Sequence, residues 1–235
     1  MEIELDKRYL HQLIKEVISK EYKVNLVNNE ATITDDSFSY ELKGENLEYS
    51  FDFRIQYDRL LTFEGFTLKI KKVEKLVCDL IIEELKKYYC NDIGFVIKDF
   101  YKTDYSFSQE ITSEAHLEEF LSEFYKCLSY YEQEVFPKLL DIKFLADYVG
   151  SVPFDKQLEI VVGGTYPVTL FKKIAILKWG NHPRYEEYKN GLQTFIKEDF
   201  LEPRYEKEAP LYQQGFDYLI THLENEPNPF IKENK

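Results

Sequence analysis

In Leu47-Glu-Tyr-Ser-Phe-Asp-Phe-Arg-Ile-Gln-Tyr57, apolar and polar residues alternate without a break. Leu47, Tyr49, Phe51, Phe53, Ile55 and Tyr57 point one way, and Glu48, Ser50, Asp52, Arg54, Gln56 and Asp58 point the other. Period-two alternation of this length predicts a strand with one buried and one wet face. After a turn at Asp58-Arg59 the pattern resumes in Leu61 and Phe63, then slips by one residue, so that Phe66, Leu68 and Ile70 form the apolar set. A bulge or sharp bend at Gly65 accounts for the slip, because glycine accepts the positive φ that a bulge often needs.

Upstream, Asp6 can cap a helix whose stripe is Leu10, Leu13, Ile14, Val17 and Ile18. Short alternating runs follow at Tyr22–Leu26, Ala31–Ile33 and Phe38–Leu42, each ended by Asn, Asp or Gly. Strands joined by such turns pair antiparallel as a meander. Downstream, Val73, Leu76, Val77, Leu80, Ile81 and Leu85 predict one helix lying across the sheet. Two less regular strands, Phe95–Tyr101 and Tyr105–Ile111, complete an α+β lobe over residues 1–111.

From Thr112 the period becomes helical. Leu117, Phe120, Leu121, Phe124, Leu128 and Tyr131 share one face of a helix that Pro137 ends or kinks. Asp141 caps a short helix that stops at Gly150, while Leu158–Val162 fits strand and helix equally well. Pro167 starts a helix through Phe171, Ile174 and Leu177 that Gly180 ends. Tyr185, Tyr188, Leu192, Phe195 and Ile196 mark the inward face of the next helix. A last helix carries Leu211, Phe216, Leu219, Ile220 and Leu223, and a frayed tail begins at Pro227. The fold class is therefore α+β: an N-terminal helix and an antiparallel meander covered by a helix, followed by a helical lobe over residues 112–235. No Gly/Ser-rich or Pro-rich linker separates the lobes, so they are expected to pack tightly.

The 235 residues are 44% hydrophobic and 31% charged, enough for a sizeable core. A net charge of −13 disfavours general nucleic-acid binding, since a phosphate backbone repels such a surface. Cys78, Cys90 and Cys127 are widely spaced and form no C-x-x-C pair; Cys78, among apolar neighbours, reads as a buried thiol outside any disulfide. With neither a leader-like start nor a long apolar run, the expectation is a cytoplasmic protein without membrane contact.

Catalytic, cofactor and metal residues are expected to be none. His11, His116, His182 and His222 lack metal-ligand spacing. Gly163-Gly164 lacks the remainder of any phosphate-binding motif and reads as a turn before Pro167. Asp141, Lys143 and Glu159 could be arranged as a nuclease-like set, but Asp141 reads as a helix cap. The densest loop is Trp179-Gly-Asn-His-Pro-Arg184, with the single Trp. Its turn residues have structural reasons to be there, and Trp179 is expected to anchor two helices.

Glu48-Tyr-Ser-Phe-Asp-Phe-Arg-Ile55 and Phe66-Thr-Leu-Lys-Ile-Lys-Lys-Val-Glu-Lys-Leu76 carry a resemblance. Over the first half of the chain they resemble an uncharacterised bacterial family, domain of unknown function 4304. The resemblance implies a helix, an antiparallel sheet and C-terminal helices, brings no catalytic residues, and points to immunity-type partners of toxins. Between Thr112 and Glu134 six glutamates face one lysine, a balance of −5. Glu118, Glu119, Glu123 and Glu134 lie away from the apolar stripe. They form either a solvated face or the docking surface for a basic protein. The leading expectation is a non-catalytic protein-binding protein, an immunity-type inhibitor of a toxin in its specific form. An enzyme with a carboxylate site between the lobes is the alternative, and a structural subunit with a large apolar surface is a third reading.

Overall fold

The computed structural model describes Gln12 and residues 37–56, 59–88, 94–97 and 107–231. The expected N-terminal helix, apart from the helical Gln12, and the strands at Tyr22–Leu26 and Ala31–Ile33 lie outside the described residues. Two compact units emerge: one spans Met1–Lys69 with Val96–Phe136, the other Ile70–Phe95 with Pro137–Lys235. They do not follow a single cut at residue 111.

The first unit is built on a sheet ordered β1 (Ser37–Lys43), β2 (Leu47–Gln56), β3 (Leu60–Ile70), β4 (Phe95–Ile97), with β5 (Phe107–Glu110) beside β3. β1 and β2 form the expected antiparallel hairpin, with Phe38 opposite Phe53 and Tyr40 opposite Phe51. β5 runs antiparallel to the first part of β3, Leu60 opposite Glu110 and Phe63 opposite Phe107. The alternation in β2 is realised: Phe51, Phe53 and Ile55 are fully buried, while Asp52 is half-buried and Arg54 exposed. Gly65 has φ +104°, in the region L side chains avoid. On either side of it the buried set shifts from Leu61 and Phe63 to Phe66, Leu68 and Ile70, so β3 keeps its apolar residues inside through the phase slip.

Within the unit α2 (Glu114–Tyr130) covers this sheet, and the stretch Val73–Leu85 belongs to the other unit. Ser113 caps α2, its extended backbone letting the hydroxyl accept from the His116 amide at 3.3 Å. Phe120 and Phe124 descend onto the strand phenylalanines. Phe124 lies 4.9 Å from Phe53, 5.0 Å from Phe51 and 5.2 Å from Phe63 between ring centroids, tilted or edge-on. Each such pair adds about 0.5–1.5 kcal/mol to the burial of its rings. Past Tyr130 the helix widens into a π turn, Tyr131–Val135, before a short α3 (Phe136–Leu139). Pro137 has no amide proton and its ring would crowd the carbonyl of Gln133; the wider turn accommodates it where an α-helical turn would clash. The kink presents Tyr131 to Phe66 at 4.6 Å, and Tyr49 donates to Glu132.

In the second unit α1 (Lys71–Asp79) ends sooner than predicted, and the chain continues as a 3₁₀ turn, Glu83–Tyr88. Leu80 and Ile81 are both buried just past the end of α1. α4 (Ile142–Val149) is capped by Asp141, whose carboxylate accepts from the Lys143 amide at 2.7 Å and the Phe144 amide at 3.3 Å. Phe154–Glu159 is a 3₁₀ turn that takes in the first two residues of Leu158–Val162, and Ile160–Val162 are neither strand nor helix. α5 (Val168–Trp179) is the centre, packed by α1, α4, α6 (Tyr185–Asp199) and α7 (Ala209–Asn225). It is buried on every face, Lys172 and Lys173 included. Gly180 follows α5 for a reason other than a turn: a Cβ there would come 2.2 Å from the Cβ of Ala146. The chain-reversing residue is Asn181, at φ +54°. Its amide and that of His182 bond back to the carbonyls of Lys178 (3.1 Å) and Leu177 (2.9 Å), a Schellman closure. Phe195, expected inward, is 39% exposed and rests against Phe154 at 5.0 Å.

Candidate functional site

Of the four glutamates singled out by their spacing, Glu118 and Glu119 are exposed on α2. Glu119 accepts from the Gln109 amide group at 3.2 Å, and Glu123 is half-buried, 3.8 Å from Lys126. Glu134 is exposed on the π turn, so the widening of the helix carries it off the straight row that a single helix would have drawn. Glu132 is turned to Tyr49 and takes no part in the outward face.

The loop Trp179–Arg184 divides its labour. His182 rests on Gly150, where an added Cβ would meet its ring at 2.2 Å. Its Nδ1 accepts from the Arg184 amide at 3.2 Å, and Nε2 lies 3.9 Å from Asp147; burial lowers its pKa, so the neutral ring is favoured. Arg184 pairs with Glu187 at 3.0 Å, and Glu187 also accepts from the Phe154 amide at 2.7 Å. Trp179 is buried and faces the end of the chain. Pro227–Ile231, predicted to fray, is a docked strap: the Asn228 side chain donates to the Trp179 carbonyl at 2.7 Å and accepts from the Phe230 amide at 3.0 Å. The Phe230 ring lies 5.4 Å from that of Trp179 and 4.1 Å from the Lys72 ammonium, which also donates to the Pro229 carbonyl at 3.2 Å.

Beside this strap is a groove of about 670 Å³, formed where α1, α5 and α7 end. Leu76, Leu80, Leu223 and Pro227 supply apolar wall. Asp79, Glu224 and Glu226 supply acid, and Lys143 and Lys178 supply base. The Lys178 ammonium sits 4.6 Å from the centroid of the Tyr185 ring. Lys189 bonds Glu224 at 2.9 Å and Glu186 at 2.7 Å, and holds the Glu224 carboxyl below its usual pKa. The sequence marked the Trp179 loop as dense but offered no sign of the groove, because its walls come from four stretches far apart in the chain.

The remaining candidates have structural work. His116 is tied to the Thr112 hydroxyl at 2.9 Å, and His222 to the Tyr218 carbonyl at 2.7 Å. Gly164, at φ +102°, makes the expected turn, next to which the Thr165 amide reaches the Tyr88 carbonyl at 3.0 Å. His11 and Cys90 lie outside the described residues; Cys127 is buried, and Cys78, expected to be buried, is half-buried. Among the described residues no three His, Cys, Asp or Glu side chains gather as a metal site.

Two residues were missed altogether. Lys172 pairs with Glu74 of α1 and has its ammonium 4.4 Å from the Phe95 ring centroid. Lys173 donates to both oxygens of Gln157, the side-chain one at 2.8 Å, and burial lowers its pKa to about 8. The available signal was their company: in Val168–Trp179 no side of the helix is polar enough to hold two adjacent lysines in water. No helix among the described residues is long and apolar enough to cross a membrane. No protein-family model, curated protein or solved structure matches the chain.

Proposed function

We propose that the protein is a non-catalytic binding protein for a basic polypeptide, which it engages through the outward face of α2. The specific form implied by the family resemblance is an immunity-type inhibitor acting on a toxin in the cytoplasm. The observation that supports it is the contrast between the two faces of one helix. The inward face is held by buried phenylalanines against the sheet, and the outward face carries exposed Glu118 and Glu119, with Glu134 on the π turn that follows. The backbone of such a base needs no ordering when a partner arrives, and clustered acid accelerates encounter with a basic surface. The non-catalytic part of the reading is supported by the histidines, since His116, His182 and His222 each use a ring nitrogen in a local tie.

The experiment replaces Glu118, Glu119 and Glu123 together by Lys and recovers partners from the native host at low and moderate salt. Loss of a basic partner from a variant that melts like the wild type is the expected result. Association should also weaken with salt, whose screening length is about 8–10 Å at moderate ionic strength. If the variant captures the same basic partners as the wild type, the face only keeps the helix in water.

A further inference from the structure

We propose that Trp179 and Lys72 form a peptide-binding seat for an Asn-Pro-aromatic turn, and that the chain's own strap, Asn228-Pro-Phe230, occupies it from within. The seat belongs to the helical unit and goes beyond the reading of α2. The strap carries its shape in its own sequence. The Asn228 carbonyl accepts from the Ile231 amide at 3.1 Å, closing a four-residue turn with Pro229 in second place. The Asn228 side chain accepts from the Phe230 amide at 3.0 Å and braces the same turn. Asn in first place and Pro in second favour such a turn by local chemistry, so a separate peptide of this sequence favours it too. Asn228 and Phe230 are half-buried, while Pro227, Pro229 and Ile231 are exposed. The two inward residues and the carbonyl between them each meet a group outside the strap. Asn228 donates to the Trp179 carbonyl at 2.7 Å, and the Phe230 ring lies 5.4 Å from the Trp179 ring. The Lys72 ammonium covers that ring at 4.1 Å and donates to the Pro229 carbonyl at 3.2 Å. Three consecutive residues are thus read by side-chain amide, carbonyl and ring, as a short ligand is read. The tether is loose. α7 ends with the Glu226 amide bonded to the His222 carbonyl, Glu226 is extended, and Pro227 has no amide proton to tie the chain down. Rotation at Glu226 lifts the strap while α7 stays in place. An outside turn carrying a neighbouring apolar side chain gains the groove beside the seat, whose walls include Leu76, Leu80 and Leu223, and so displaces the strap.

The test opens the seat in the full chain and refills it from outside. Asn228→Ala with Phe230→Ala removes both anchors of the strap and leaves Trp179 and Lys72 untouched. Asn228→Asp is the milder opening: it keeps an acceptor for the Phe230 amide and sets a carboxylate against the Trp179 carbonyl. The probe is the synthetic peptide Glu-Pro-Asn-Pro-Phe-Ile, titrated into each protein and read by calorimetry and by the fluorescence of Trp179, the single Trp of the chain. Both opened variants should bind it saturably. The wild type should bind it about tenfold more weakly, because a short tether holds the strap at an effective concentration in the millimolar range. Peptides with Ala in place of Asn or of Phe should lose about tenfold, and Lys72→Gln added to the double variant should weaken the parent peptide. The proposal is overturned if neither opened variant saturates at about millimolar peptide, if the wild type binds as tightly as they do, or if the Ala peptides bind like the parent. None of these outcomes depends on α2, so they leave the polypeptide-binding reading to its own test.

Discussion

The sheet unit and the helical unit solve the problem of an interior in opposite ways. Around Phe53 and Phe124 the core is hydrocarbon ring against hydrocarbon ring. Such burial is non-directional and tolerates many small adjustments. At the centre of the helical unit, α5 places two ammonium groups where no water reaches them, one answered by Glu74 and one by the oxygens of Gln157. Those contacts are directional, and removing one partner strands the other. The sheet unit is held by how much apolar area it hides. Around α5, what counts is whether each buried charge keeps its partner.

The difference can be broken from the sheet side first. Phe53→Ala removes a ring that touches Phe51, Phe63, Phe120 and Phe124, and should cost about 3–5 kcal/mol in denaturant unfolding. An unchanged midpoint would mean that the two faces of β2 are reversed. On the helical side, Glu74→Leu should cost about 3 kcal/mol by removing the carboxylate that answers the buried Lys172 ammonium, and adding Lys172→Met should restore most of that loss. Additive losses in this double-mutant cycle would remove the claim that pairing governs the helical core.

A gentler probe is pH. The Lys173 ammonium titrates near 8 in the folded protein and near 10.5 when unfolded, so between these values the unfolded chain binds more protons. Unfolding free energy should therefore rise by about 2 kcal/mol from pH 8 to pH 10, and Lys173→Met should flatten that rise. Above pH 10 the sign turns. Burial pushes Tyr188 and Tyr212 up to about 12, so the unfolded chain loses those protons first and stability falls. The smallest expected effect returns to the sheet: Gly65→Ala, at φ +104°, should cost about 1–2 kcal/mol through backbone strain. If Gly65→Ala is neutral by thermal unfolding, the phase slip in β3 has another cause.

Legibility followed the range of the interaction. The buried set of β2, the turn at Gly65, the face from Leu117 to Tyr131 and the cap at Asp141 were all readable, because each is decided within a few residues by side-chain period, φ or a cap. The end of α1 was not, since Val73, Val77, Leu80, Ile81 and Leu85 satisfy a helical wheel whether or not the chain turns after Asp79. At the candidate sites the same limit applied. The acidity of α2 could be counted from its residues, whereas the π turn that displaces Glu134 depends on how Pro137 is accommodated.

What the chain determined by itself is therefore local: which residues alternate, which cap, where glycine must take a positive φ, and that the surface is acidic. Which helix covers the sheet was decided only when Phe120 and Phe124 found the rings of β2 and β3. The partners of Lys172 and Lys173, the docking of Asn228 on Trp179 and the groove beside it were likewise decided by tertiary structure. The physical reason is that burial and charge compensation are properties of a place, and a place is made by segments that the sequence holds as many as 157 residues apart, as with Lys72 and Pro229.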